Sequence, residues 1–124
     1  MLDALFVYGT LMVGRCRWPI LEPYVVGGSG GMGPAAAAGR LYDTGFEYPA
    51  ARFDRDGRIW GQVARLHPES LAVALDLLDQ VEGAVEGEYT RVVIRTDDGD
   101  SAWAYEYGLS PDGLVDLGGR WTGN

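Results

Sequence analysis

Residues 56–83 read DGRIWGQVARLHPESLAVALDLLDQVEG, and within that stretch the hydrophobic period changes once. Asp56-Gly57 is a pair that favours a tight hairpin turn. Arg58 to Leu66 then alternates as a strand does, with Ile59, Gly61 and Val63 on one side and Trp60, Gln62, Ala64 and Leu66 on the other. Pro68-Glu69 reads as the first turn of a helix, with proline early and an acid near the positive end. At about 100° per residue, Leu71, Leu75 and Leu78 fall on one stripe, so the spacing predicts a helix from Pro68 to about Val81 or Glu82.

Outward from this pair the remaining elements are shorter. Leu5-Phe6-Val7-Tyr8 is an apolar run stopped by Gly9-Thr10, the pattern of a buried strand entering a turn. Trp18-Pro19 and Glu22-Pro23 interrupt the segment from Leu11 to Val26 and leave room only for a helical turn around Pro19 to Leu21. The glycine-rich run Gly27 to Gly33 reads as a surface loop; a phosphate cradle would want a lysine and a following helix, and neither is there. Gly39 to Asp43 resumes a strand, and Tyr48-Pro49-Ala50 is extended or a turn. Tyr89 to Thr96 and Ser101 to Tyr107 read as two strands joined across Asp98-Gly99. The rest, punctuated by Pro111, Gly113, Gly118 and Gly119, reads as a loop returning Trp121 to the body. Five or six strands, mostly in hairpins, and one main helix make an α+β fold. Its sheet should be curled and mostly antiparallel, with a small barrel as the closed form.

A length of 124 residues predicts one domain, 1–124, large enough to bury a core without a staple. Ten basic residues against eighteen acidic give a net charge of −8, which argues against nucleic acid and anionic membranes as partners. All the basic residues are arginines, so Schiff-base lysine chemistry and the P-loop lysine are excluded. One cysteine (Cys16) and one histidine (His67) do not make a zinc site, and no metal or cofactor is expected. With no internal disulfide possible and no secretion signal in the opening residues, a cytoplasmic location is expected.

One residue breaks the helical pattern. Continuing the leucine stripe by four residues lands on Glu82, just before Gly83, whereas Asp76 and Asp79 point away as solvent-facing acids. A carboxyl on a buried face is costly to ionise, and its pKa rises toward the range a general acid/base needs. Periodicity alone leaves a second outcome open, in which the helix end frays and Glu82 emerges into water beside Glu86 and Glu88. The other candidates are bland: His67 as a strand–helix junction, Cys16 as an incidental thiol, and Ser70 and Ser101 without a histidine at triad spacing. Trp103, Tyr105 and Tyr107 share one face of a strand, ordinarily a core-packing pattern, from which a tyrosine hydroxyl can also reach a ligand.

Four blocks in order carry a resemblance. Leu5 to Leu11, with Tyr8-Gly9-Thr10-Leu11 at its end, is the first. Gly39 to Gly45 with Tyr48-Pro49-Ala50 is the second, and Leu75-Asp76 through Glu82-Gly83 to Tyr89-Thr90-Arg91 the third. Ala102-Trp103-Ala104-Tyr105 and the late Trp121 close the series. Together they resemble the γ-glutamylcyclotransferase-like superfamily, which includes the γ-glutamylamine cyclotransferases and the AIG2-like proteins. The resemblance covers nearly the whole chain and implies a compact mixed β-barrel with a packed helix. It further implies an enzyme that closes a γ-glutamyl group to 5-oxoproline and expels an amine, with no metal or nucleotide. Glu82 falls where the family has its acid/base glutamate, and Tyr8, Gly9, Thr10 and Leu11 fall on its substrate loop. Tyr48 and Tyr105 complete the expected binding set. The glycine-rich 27–33 run, the Phe46-Glu47 step and the acidic segment after Glu82 depart from the pattern and bear on the substrate. The leaving group stays open among an amino acid, a dipeptide and the ε-amine of lysine. Two other classes are a catalytically silent binding module and an acidic protein-interaction domain.

Overall fold

The computed structural model describes residues 2–46, 48–83 and 88–123. Strands β1 (Ala4–Val7), β2 (Gly33–Ala38), β5 (Arg58–Arg65), β6 (Tyr89–Arg95) and β7 (Ser101–Tyr107) form one sheet in the order β2-β5-β1-β7-β6. All neighbours in it are antiparallel except β1 and β7, which run parallel with Leu5 opposite Trp103. Strands β3 (Arg40–Asp43), β4 (Pro49–Arg52) and β8 (Val115–Gly118) form a second, antiparallel sheet in the order β4-β3-β8. Helix α1 (Trp18–Leu21) is a single turn, and α2 (Leu71–Val81) follows a 3₁₀ turn at Pro68–Ser70. The main helix thus spans the range its leucine spacing implies, with the proline turn wound more tightly.

Strand β1 explains the layering. Its side chains alternate, and both sets are buried. Leu5 and Val7 join Ala64, Leu66 and Tyr105 beneath the helical stripe of Leu71, Ala74, Leu75 and Leu78. Ala4 and Phe6 face the other way, with Ile59, Ala102 and Ala104, against Leu41 and Ala51 of the second sheet. The large sheet is therefore a middle layer between helix and small sheet.

Four expectations are corrected. The strands do not close into a barrel: they form two sheets, and among the described residues the outer strand β2 meets the chain just past β6 at one bridge, Ala37 to Thr96. Asp56-Gly57 does not close a hairpin, because β4 and β5 belong to different sheets and the turn carries the chain between layers. The Gly27–Gly33 run is not all loop; it contains a 3₁₀ turn at Gly28–Gly31 and leads into β2. Alanines have low strand propensity, but Ala36 and Ala37 gain burial between layers, which outweighs it. Likewise the stretch after Pro111 includes β8, paired along β3. The Asp98-Gly99 hairpin joins β6 and β7 as its turn chemistry implies. Glu47 and Glu86 lie outside the described residues.

The helix–sheet contact carries much of the stability. Leu78 is fully buried, so Leu78→Ala should cost about 2–5 kcal/mol in urea unfolding. The exposed Val73→Ala on the same helix should stay within about 0.5 kcal/mol of the parent.

Candidate active site

The end of β1 and the end of α2 meet over one cleft. Its volume is about 330 Å³, mouth included, and Tyr8, Gly9, Thr10, Leu11, Tyr48, Glu82 and Tyr105 all line it. These residues come from separate blocks of the sequence, so the fold assembles them.

Beyond Val7 the chain leaves the sheet and turns. The Gly9 carbonyl accepts a hydrogen bond from Met12 N–H at 3.1 Å, and the Thr10 carbonyl accepts one from Arg17 N–H at 2.9 Å. Among the described residues, the N–H groups of Gly9, Thr10 and Leu11 are not engaged by any protein acceptor. The turn thus presents three donors beside the cleft, where they can bind an anion. Gly9 sits against Pro49, and a Cβ there would lie 2.9 Å from two carbons of the proline ring. Only glycine lets the turn approach the loop that carries Tyr48 this closely.

Helix α2 stops at Val81 with Glu82 as its cap, and Gly83 beyond it adopts a left-handed conformation, with φ of +74°. Glu82 N–H still reaches the Leu78 carbonyl at 2.9 Å, so the residue keeps the stripe's direction. Its side chain is 12% exposed, and fraying into water is not what happens. Burial pushes the Glu82 carboxyl up to about 7, a rise opposed by the Arg17 guanidinium. Arg17 Nη1 stands 3.7 Å from Glu82 Oε2 and 3.4 Å from the Val81 carbonyl. In the sequence Arg17 is no more than a neighbour of Cys16; nothing in the spacing links residue 17 to residue 82.

The tyrosines divide by what their hydroxyls do. Tyr8 donates to the Tyr105 carbonyl. Tyr105 donates to Asp79 Oδ1 at 2.7 Å, so its hydroxyl is engaged by the helix. Asp79 is likewise not a solvent-facing acid: Arg91 holds both its oxygens, at 2.8 and 3.3 Å. Arg91 in turn lies 4.4 Å from the centre of the Trp103 ring. Burial raises the Tyr8 and Tyr105 hydroxyls above the usual tyrosine range, so both stay protonated. Tyr48 is the tyrosine of the cleft whose hydroxyl is not engaged among the described residues; its ring stacks on Phe46 and meets Tyr89 edge-on. His67 sits at the β5–α2 junction and Cys16 is exposed; neither lines this cleft.

Among the described residues no cluster of three or more His, Cys, Asp or Glu side chains gathers as a metal site, and no helix is long and apolar enough to cross a membrane. What the cleft offers is a carboxyl that ionises near neutrality opposite a turn of backbone donors. That combination sits on a small, mixed two-sheet α+β fold. The chain belongs to the family described as Gamma-glutamyl cyclotransferase, AIG2-like, whose profile matches residues 5–123.

Solved structures share the fold. The protein PH0828 from Pyrococcus horikoshii is 22% identical, over 94% of this chain and 87% of that one, with a TM-score of 0.68. An AIG2-like protein (GGACT) from Mus musculus is 18% identical over 89% of this chain and 80% of that one, with a TM-score of 0.66. The protein ytfP from Escherichia coli is 28% identical over 96% of each chain, with a TM-score of 0.61. No curated protein matches the sequence.

The raised Glu82 pKa has a consequence for stability. From about pH 4.5 to about 7 the folded protein keeps a proton that the unfolded chain has lost. Stability therefore falls as pH rises through that window, by up to about 3 kcal/mol from this group. Glu82→Gln should remove that slope, so urea titrations at pH 5 and pH 8 should show the variant gaining on the parent at the higher pH. At the turn, Gly9→Ala should displace Pro49 and lower stability by about 1–3 kcal/mol.

Proposed function

We propose that the chain is a γ-glutamyl cyclotransferase that releases 5-oxoproline from a γ-glutamyl amine or peptide in the cytoplasm, working as one domain without metal or cofactor. The observation that carries this reading is Glu82, a carboxyl held near pKa 7 in a cleft faced by the Gly9–Leu11 turn. Family membership supports it.

The substrate's own α-amine is the nucleophile. Its lone pair attacks the γ-carbonyl carbon, a carbon–nitrogen bond closes the five-membered ring, and the carbon–nitrogen bond to the leaving amine breaks. Because the nucleophile is tethered, holding the γ-glutamyl group folded supplies much of the acceleration. The remaining task is moving one proton from the attacking nitrogen to the leaving nitrogen. Glu82 takes it as carboxylate and returns it as carboxylic acid, and a pKa near neutrality serves both halves. The N–H groups of Gly9, Thr10 and Leu11 hydrogen-bond the substrate carboxylate or the oxyanion that develops at the γ-carbonyl. Tyr8 and Tyr105 contribute walls whose positions their own hydrogen bonds fix. Tyr48 covers the substrate with its ring and offers its hydroxyl.

A screen of γ-glutamyl compounds for 5-oxoproline release tests the activity directly. On the best substrate, Glu82→Gln should lower kcat by about two to four orders of magnitude. The wild-type kcat/KM should rise as pH passes through about 7, where Glu82 gains its base form. An unreactive analogue should still bind the variant. Wild-type rates from Glu82→Gln, or no 5-oxoproline from any compound, would overturn the proposal.

A further inference from the structure

The cleft that holds Glu82 continues outward. Thr10 and Tyr48 line it and also line a second hollow, about 940 Å³ with its mouth, whose other walls are Cys16, Arg17, Gly45 and Phe46. Two features of this hollow bear on what it can bind. One is the stacked pair of Phe46 and Tyr48, with rings 5.9 Å apart and 10° from parallel. The other is the Arg17 guanidinium, about one-third exposed and 5.9 Å from the Tyr48 ring.

Arg17 is weakly partnered for a guanidinium at the rim of a cleft. Its contacts to the Val81 carbonyl and to Glu82 are 3.4 and 3.7 Å, and both come from the same nitrogen, Nη1. A well-made bond from a guanidinium to a carboxylate is about 2.7–2.9 Å, and a bidentate one uses two nitrogens. Among the described residues, Nε and Nη2 have no acceptor. A planar, permanently charged fork with two donors not engaged among the described residues is suited to a carboxylate from outside the chain.

Resting on the function proposed above, we infer that the second hollow receives the leaving half of the substrate and that Arg17 binds a carboxylate on it. The substrate class is then γ-glutamyl amino acids, in preference to γ-glutamyl amines without that carboxylate. Bond counting supports the choice. The leaving nitrogen has to lie within hydrogen-bond reach of Glu82, and Arg17 stands 3.7 Å from that same carboxyl. In a γ-glutamyl amino acid the α-carboxylate carbon is two bonds from the leaving nitrogen, about 2.5 Å away, and falls beside the guanidinium. In an ε-linked lysine it is six bonds away. The Phe46–Tyr48 pair is then placed to flank the side chain of the leaving amino acid.

The test uses matched pairs that differ only in the carboxylate. Glutaryl-phenylalanine and glutaryl-phenethylamine lack the α-amine and cannot cyclise, so calorimetry reads binding without turnover. The wild-type chain should bind glutaryl-phenylalanine more tightly by about 10–100-fold, the range for a bond to a charged group. Arg17→Gln should bring the two within about threefold, and Arg17→Lys should fall between. Equal binding by the wild type, a preference that survives Arg17→Gln, or no binding of glutaryl-phenylalanine at millimolar concentration each overturns the inference. The reactive pair, γ-glutamyl-phenylalanine and γ-glutamyl-phenethylamine, separates the two proposals. Discrimination in binding without 5-oxoproline sinks the cyclotransferase and leaves the subsite. Equal 5-oxoproline release from both sinks the subsite and leaves the cyclotransferase. Loss of Arg17 also removes a charge beside Glu82, so a loss common to both compounds belongs to Glu82, and the ratio between them reads the subsite.

Discussion

Tyr8 at the end of β1 donates its hydroxyl proton to the Tyr105 carbonyl on β7, and Tyr105 donates its own to Asp79 on α2. This short chain of hydrogen bonds ties the turn that follows β1 to the helix that ends in Glu82. Both hydroxyls lie where water is largely excluded, so leaving either unpaired would cost about 1–3 kcal/mol, and the links are correspondingly firm. Arg91 fastens the far side by holding both Asp79 oxygens while resting on Trp103. The cleft inherits its dimensions from this arrangement. If Asp79 were the solvent-facing acid that helical periodicity suggests, this chain of hydrogen bonds would stop at Tyr105 and not reach α2.

That constraint also explains how a carboxyl can be tolerated on a buried stripe. The helix cannot roll to deliver Glu82 to water, because its leucines face the sheet and Asp79 is held two-handed by Arg91. Glu82 instead faces a cleft beside one guanidinium, close enough to moderate its pKa and too far to pair with it tightly. A tight pair would keep the carboxyl ionised. Without that cation the carboxyl would lie higher still, because burial alone raises it. The separation of 3.7 Å lies between those cases.

The three layers serve the same end. β1 is sandwiched by cores on both faces, so its terminus is among the better-anchored points of the chain, and the turn projecting from it inherits that rigidity. The β3–β4 hairpin brings Tyr48 and Pro49 over the turn, and the absence of a Cβ at Gly9 lets it come close.

Local pattern determined more of this protein than its shortness suggests. Alternation in Arg58 to Leu66 and the leucine spacing of α2 place a two-faced strand and a one-faced helix, because side-chain direction follows backbone period whatever the surroundings. The same spacing put Glu82 on the buried face, and the four sequence blocks named the family that the profile match shows. Tertiary structure decided the rest, wherever a residue's role depends on a partner far along the chain. The alanine strand β2 and the late strand β8 have weak propensities of their own and exist because β5 and β3 offer edges to pair with. Asp56-Gly57 has the chemistry of a hairpin turn, yet the layers on either side make it a crossing between sheets. Asp79 and Tyr105 face each other only once helix and sheet have docked, and Arg17 meets Glu82 across 65 positions of sequence, a separation that no periodicity can span.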